Sequence, residues 1–416
     1  MAVTTEHPVT GTELVGRLLD PASRPDPYPI YAGFRALGPT WIEELSSLVV
    51  TGYDDCETLL RDPRLSAERW RFFGSNREDV YPPDAPSSVR QPWFLSLDPP
   101  DHTRLRRLVS SAFTARAVAR MEPSVARLVD ELLSKADGRG TFDVLSELAY
   151  LLPVTVICRM LGVPQEDERL FHEWSSRLTR LLDGFAPPLG EGETPEWVSG
   201  VVDMHRYVHE LVADRRRRPR QDDLISGLLA AEDDGDVLSH DDLVATIVLL
   251  LVAGHETTVN LIANGVLALL RHPEHLAALR ADPGLASAVV EETLRYDPPV
   301  QLTARVATED LRIGEATAPA GSLVILLLAA AHRDPAANPD PDRFDPGREQ
   351  VRHLGFGFGA HFCLGAPLAR LEGRLALAEF ARRVREPELV ADPPYREHVN
   401  LRGVRELIVA HRGVTP

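Results

Sequence analysis

The sequence has little positive charge, cysteine or unbroken apolar length. With 62 acids against 45 bases its formal net charge is −17, which argues against nucleic acid or an anionic membrane as the main partner. Lysine is almost absent: Lys135 is the single lysine, and the other bases are arginines. The three cysteines, Cys56, Cys158 and Cys363, are too few and too scattered for a disulfide framework. The longest apolar run, Leu243 to Gly254, covers about 12 residues before His255 and Glu256 interrupt it, whereas a membrane span needs about 20. The N-terminus, MAVTTEHPVTGTEL, has no basic stretch followed by an apolar one, so no targeting segment or membrane anchor is expected. The expected location is cytoplasmic.

What is present is globular composition, 44% hydrophobic and 26% charged over 416 residues, enough for a large core. From about Asp101 to Leu270 apolar residues recur at helical spacing, as in Leu105, Leu108, Val109 and Ala112. Gly138-Arg139-Gly140 and the Pro187-to-Pro195 stretch break this region. Strand-like runs are few: Leu48–Thr51, Thr303–Thr308 and Leu323–Leu328. Residues 332–352 are rich in Pro, Asp, Asn and Arg without a period, the mark of a long ordered loop or linker.

The spacing predicts the longest helix over Ser239–Leu270. Ser239 with Asp242 three residues on resembles a capping box. The segment is apolar on nearly all faces, so it belongs in the middle of the fold. Gly254, His255, Glu256, Thr257 and Thr258 then sit inside a buried helix, where an unpartnered carboxylate is costly. Either they form a satisfied polar pair at a helix contact, or they open an active-site groove. The Thr257 hydroxyl, one turn from the Ala253 carbonyl, is placed to take its hydrogen bond and loosen the helix.

The stretch Phe356-Gly357-Phe358-Gly359-Ala360-His361-Phe362-Cys363-Leu364-Gly365 carries the most chemistry. Its glycines permit positive φ and close approach to a ligand. A helical pattern resumes at Ala366, which puts Cys363 just before a helix N-terminus, where amides stabilise a thiolate. Such a thiolate suits an axial ligand to haem iron. A buried cysteine acting as a small hydrophobe, a zinc site with His361 and a free catalytic thiol are the competing readings.

Phe-Gly-x-Gly-x-His-x-Cys-x-Gly resembles the haem-binding loop of the cytochrome P-450 monooxygenases of the soluble bacterial type. The resemblance runs along most of the chain: Ala253-Gly254-His255-Glu256-Thr257-Thr258 is similar to the family's oxygen-activation segment, Glu292-Thr293-Leu294-Arg295 to its Glu-x-x-Arg helix, Pro341-Asp342-Arg343-Phe344-Asp345 to its meander, and Asp101–Arg107 to its haem-side helix. It implies a mainly α fold with a small β-rich region, a triangular prism holding haem b between the long central helix and the cysteine loop with its following helix. It also implies one domain over 1–416, without fused reductase.

By that resemblance Cys363 is the iron ligand. His102, Arg106, Arg305 and His361 hold the propionates, and Phe356, Gly357, Gly365, Ala253 and Gly254 contact the haem. Glu256 and Thr257 are the catalytic acid–alcohol pair. Glu292, Arg295 and Arg343 are a structural triad, and Phe94, Leu249, Ala253, Val300, Leu302 and Leu401 line the substrate pocket. The implied activity inserts one atom of O2 into a lipophilic small molecule of secondary metabolism, by hydroxylation or epoxidation. Electrons come from NAD(P)H through a ferredoxin reductase and a ferredoxin, and the state is monomeric. Arg370, Arg374, Arg382, Arg383 and Arg385, with Arg104 and Arg107, form a candidate basic patch for an acidic ferredoxin. The rival readings are a peroxide-dependent peroxygenase and a non-catalytic haem-binding protein.

Overall fold

The computed structural model describes residues 9–73, 81–171, 174, 196–220, 223–233 and 239–416; the expected Pro187–Pro195 break lies outside them. The described helices of nine residues or more are α1 (Gly11–Leu19), α2 (Tyr28–Leu37), α3 (Asp101–Ser110), α4 (Glu122–Ser134), α5 (Leu151–Leu161), α6 (Glu196–Arg217), α7 (Leu224–Asp233), α8 (His240–Ala253), α9 (Glu256–Arg271), α10 (Pro273–Ala281), α11 (Ala286–Tyr296) and α12 (Ala366–Arg383). The strands are β1 (Thr40–Ile42), β2 (Ser47–Val50), β3 (Leu65–Ser66), β4 (Thr141–Asp143), β5 (Thr303–Ala307), β6 (Leu311–Ile313), β7 (Ala316–Ala318), β8 (Leu323–Leu326), β9 (Glu388–Leu389) and β10 (Ile408–Ala410).

The strands form a five-stranded sheet in the order β1-β2-β8-β5-β3, a three-stranded sheet β4-β10-β9 and the pair β6-β7. β2 and β8 run parallel, with Ser47 beside Leu323 and Val50 beside Leu326. A parallel pair needs a long crossover; here most of the helical body is that crossover. All residues of both strands are buried, which explains why they read as apolar runs without alternation. One face of the sheet packs on α1 and α2 through Leu14, Tyr31, Phe34, Val49 and Ile325.

The main core gathers α4, α5, α6, α8, α9, α11 and α12. Ser239 caps α8 as its sequence predicts, accepting from the Asp242 N–H at 3.0 Å. The expected single helix is two. α8 stops at Ala253 and α9 begins at Glu256, with Gly254 and His255 as a turn between them. The cause is local: Thr257 Oγ1 donates to the Ala253 carbonyl at 3.1 Å, an acceptor the helix ladder otherwise uses. The run His240–Arg271 is long and apolar enough to cross a membrane, but 83% of its most apolar window is buried inside the protein, the position of a core helix. The 332–352 segment is an ordered loop, as its composition indicates.

Candidate active site

Cys363 sits two residues before the N-cap of α12, and its N–H donates to the Phe356 carbonyl at 2.8 Å. That bond closes the loop, and Gly357 makes the turn inside it with φ +66°, a conformation that side chains with a Cβ rarely adopt. Burial pushes the Cys363 thiol up, while the Gly365 and Ala366 amides and the guanidinium groups of Arg106 and Arg370 pull it down. The environment therefore supports negative charge at sulfur once a partner cation offsets the burial. Cys56 and Cys158 differ: both are wholly buried and burial raises their thiols steeply, so they are core residues. Phe356 is buried in the core cluster against which Cys363 packs. Phe358 lies under Arg61 in the sheet-side cluster, and Phe362 is exposed.

Beside the loop a group of bases converges. His102 on α3 stacks on His361, ring centroids 4.1 Å apart. Burial, followed by Arg305, His102, Arg106 and Arg69, depresses His361 to about 3. Arg305 on β5 is brought down to about 10 by burial and the nearby Arg69. Asp98, the acid that faces them, is engaged by Ser66 Oγ at 2.5 Å and the Ala67 N–H at 2.8 Å. Both ring nitrogens of His102 are buried and lack a hydrogen-bond partner. Such a cluster is unfavourable by itself and favourable around an anion. Arg106 also donates to the Phe362 carbonyl at 2.5 Å, bracing the cysteine loop. Arg69 belongs to the cluster and was missed, because nothing in its local sequence ties it to the others.

Across the core, the α8–α9 turn presents Glu256 and Thr257. Glu256 is 2% exposed, and its Oε2 accepts from Arg396 Nη1 at 2.5 Å. His255 Nε2 lies 3.9 Å from the other oxygen. Arg396 is also absent from the sequence reading; it comes from a hairpin about 140 residues further on.

The cytochrome P450 family description matches residues 41–283 and 284–388. The chain belongs to the cytochrome P450 family. The vitamin D(3) 25-hydroxylase of Pseudonocardia autotrophica is 41% identical over 98% of this chain and 98% of that protein. The cyclomarin C epoxidase CymV of Salinispora arenicola is 40% identical over 86% of this chain and 89% of that protein. Among solved structures, ligand-free CYP164A2 of Mycobacterium smegmatis superimposes with a TM-score of 0.87 at 50% identity, covering 95% of this chain and 99% of that one. The protein is thus a P450 monooxygenase, and its family uses haem and O2.

The residues present fit that haem. Its two carboxylates are anions that suit the buried, unpartnered ring nitrogens of His102 beside Arg305 and His361, and the amide-lined cysteine suits its iron.

The P450 frame is held by ion pairs, and here one expectation is corrected. Glu292 and Arg295, both 0% exposed, form a bidentate pair with 2.7 Å contacts. Arg343 does not join them through its side chain, which is 65% exposed and pairs with Asp345. The third member is Arg348, whose Nε lies 3.2 Å from Glu292 Oε1. Arg343 supplies only its carbonyl, which accepts from Arg295 and Arg348 at 2.9 and 2.8 Å.

The basic patch is also corrected. Arg370 forks onto Glu291 at 2.6 and 2.9 Å, Arg374 pairs with Glu122, Arg382 with Glu379, and Arg383 is buried against Asp130. Arg104 pairs with Asp101 and Asp242. Most of these charges are spent inside the chain. Arg370 also lies over the Phe356 ring at 4.5 Å, so its pair with Glu291 ties the cysteine loop to α11.

That pair has a pH signature. Burial raises Glu291, but Arg370 and His353 outweigh it and hold the carboxyl at about 2, against an ordinary 4.5. A carboxyl depressed on folding adds stability above its unfolded value, and the contribution fades as pH falls through the folded value. Glu291→Gln should therefore unfold a few degrees below the wild type at neutral pH. The difference should close between about pH 4.5 and about pH 2, followed by thermal melts.

Of the expected pocket residues, Phe94 lies against His102, 6.3 Å between rings, and Val300 bridges to Leu401. Leu249 is buried in the main core, and Ala253 packs half-buried against it. Leu302 instead belongs to the cluster of Leu14, Tyr31 and Ile325.

Proposed function

We propose that this P450 hydroxylates or epoxidises a lipophilic small molecule of secondary metabolism, in the cytoplasm, as a one-domain monomer, with electrons passed from NAD(P)H through a ferredoxin reductase and a ferredoxin. The haem supplies dioxygen activation when bound. The chain supplies the rest. Cys363 ligates the iron, and the Gly365 and Ala366 amides together with Arg106 and Arg370 balance the sulfur charge. His102, Arg305 and His361, with Arg106 at the edge, hold the carboxylates. Phe94, Val300, Leu401, Leu249 and Ala253 give an apolar wall suited to a lipophilic ligand.

The observation that carries the oxygenase reading is the helix break. Thr257 spends its own proton on the Ala253 carbonyl, so its oxygen is free to accept a hydrogen bond from a water. Glu256, the next residue, is the carboxylate that accepts and returns protons. Oxygenation takes two electrons and two protons per O2; one oxygen enters the substrate and the other leaves as water. When protons are misdirected, the same electrons and protons leave as hydrogen peroxide.

Thr257→Ala should keep the haem and the binding spectrum but sharply lower product formed per NAD(P)H, with peroxide making up the difference, because a group that positions the transferred protons is lost. The substrate for this measurement comes from a screen of lipophilic compounds for a Soret shift. Unchanged coupling in Thr257→Ala removes the proton role.

A further inference from the structure

Away from the cysteine loop, three histidines and a serine from three elements form one hydrogen-bonded row. Ser88 lies in the short turn Ser87–Arg90, His205 and His209 one helical turn apart on α6, and His240 at the first position of α8. Ser88 Oγ is 2.8 Å from His205 Nδ1 and 2.9 Å from His209 Nε2, and His209 Nδ1 is 2.8 Å from His240 Nε2. Ser88 and His205 are buried, and His209 and His240 are half-buried. None of these groups belongs to the site described above.

The geometry limits how many protons the row holds. Each of its three links takes one, and the outer nitrogens, His205 Nε2 and His240 Nδ1, take one each. Three neutral imidazoles and one hydroxyl bring one proton fewer than these places, so the neutral row closes completely, running in either direction. One added proton fills the last place and leaves every link intact. A second added proton sets two hydrogens against each other in one link, and that link breaks. Separated rings have no such limit, so acid favours separation.

The surroundings act in the same sense. Burial, followed by His209, lowers His205 to about 4 from an ordinary 6.5, with Asp241 of α8 opposing. Burial, followed by His240, lowers His209 as well, and Asp241 opposes again. The other charged neighbours are engaged elsewhere or point outward. Arg206 on α6 pairs with Asp84 and Asp203, Asp242 on α8 with Arg104, and Arg90 donates to the Pro82 carbonyl, while Glu210 is exposed. Rings whose values fall on closing favour the closed row in full above about 6.5, and less and less as pH drops toward about 4.

The row ties together elements that carry the expected pocket wall. The Ser87–Arg90 turn packs on α6 and α8, its Val89 is in the main core, and the same segment runs on to Phe94, which lies against His102. α8 carries Leu249 and Ala253. We propose that Ser88, His205, His209 and His240 form an acid-released latch: closed, it ties the segment leading to Phe94 to α6 and α8, and a second added proton frees that segment and widens the way to the haem. The inference rests on the pocket wall of Phe94, Leu249 and Ala253 proposed above.

Two measurements on the holoprotein, at about pH 8 and about pH 5.5, test it. Hydrogen exchange over residues 85–94, corrected for the intrinsic rate, should at least double in acid, while α12 stays unchanged. Carbon monoxide rebinding after flash photolysis of the reduced protein should also at least double. His209→Ala cuts the row in the middle and should exchange fast over 85–94 at both pH values. His205→Asn combined with His240→Gln keeps polar atoms where Nδ1 and Nε2 stand and leaves one ring to titrate, a proton the row can hold, so its acid response should vanish. His240→Gln alone, at a half-buried position, should respond less than the wild type, and it decides the matter if the double variant does not fold. Unchanged exchange in acid, or a full acid response in these glutamine variants, overturns the latch. Faster exchange with unchanged carbon monoxide rebinding overturns its hold on the pocket. Neither readout needs turnover, so a failure of the oxygenase reading leaves both intact and is told apart from a failure of the latch.

Discussion

Cys363→Ala should abolish the red-shifted Soret band of the reduced, carbon monoxide-treated holoprotein and bring turnover to background. Cys56 and Cys158 are wholly buried in apolar surroundings that disfavour a thiolate, so neither can replace the lost sulfur. Cys363 is partly exposed, at the end of a helix whose first amides face its sulfur, with Arg106 and Arg370 near. The alanine variant keeps the base cluster of His102, Arg305 and His361, so it should still take up haem, more weakly. The expected signature is thus specific: haem retained in part, thiolate spectrum gone. A variant with an unchanged spectrum would remove the sulfur–iron bond and every role built on it.

What the sequence made legible is what depends on short-range chemistry. The Ser239 cap, the Thr257 bond to Ala253, the buried strands Ser47–Val50 and Leu323–Leu326, and the helix that resumes after Cys363 all follow from residues within a few positions of one another. The contacts that escaped are those between distant segments. In Arg343-Phe344-Asp345-Pro346-Gly347-Arg348 two arginines share one loop, and spacing cannot say which turns inward. The choice is made by the fold of the loop, which buries Arg348 and leaves Arg343 in solvent. Arg396 pairs with a glutamate 140 positions away. The basic patch failed for the same reason: counting arginines along α12 does not count the acids that α4 and α11 bring to them.

The charge network under the 339–348 loop carries the second large effect. Arg295 and Arg348 between them bind the carbonyls of Pro339, Asp340, Pro341 and Arg343, and Glu292 balances both guanidinium groups while its Oε1 also accepts from the Asp345 N–H at 2.7 Å. A loop with no regular structure is thus fixed by two cations and one anion, all with little or no exposure. Removing the anion leaves two buried charges uncompensated, a loss of about 3–5 kcal/mol. Glu292→Gln should therefore express poorly or lose haem on purification. Arg348→Leu should cost less, because Arg295 keeps its bidentate partner, yet still lower the melting temperature by several degrees. Arg343→Ala removes only an exposed side chain and keeps the carbonyl that matters, so its effect should stay within about 0.5 kcal/mol. Equal damage from Arg343→Ala and Arg348→Leu, measured by thermal melts of the holoproteins, would show that side-chain burial does not set the order of these two arginines.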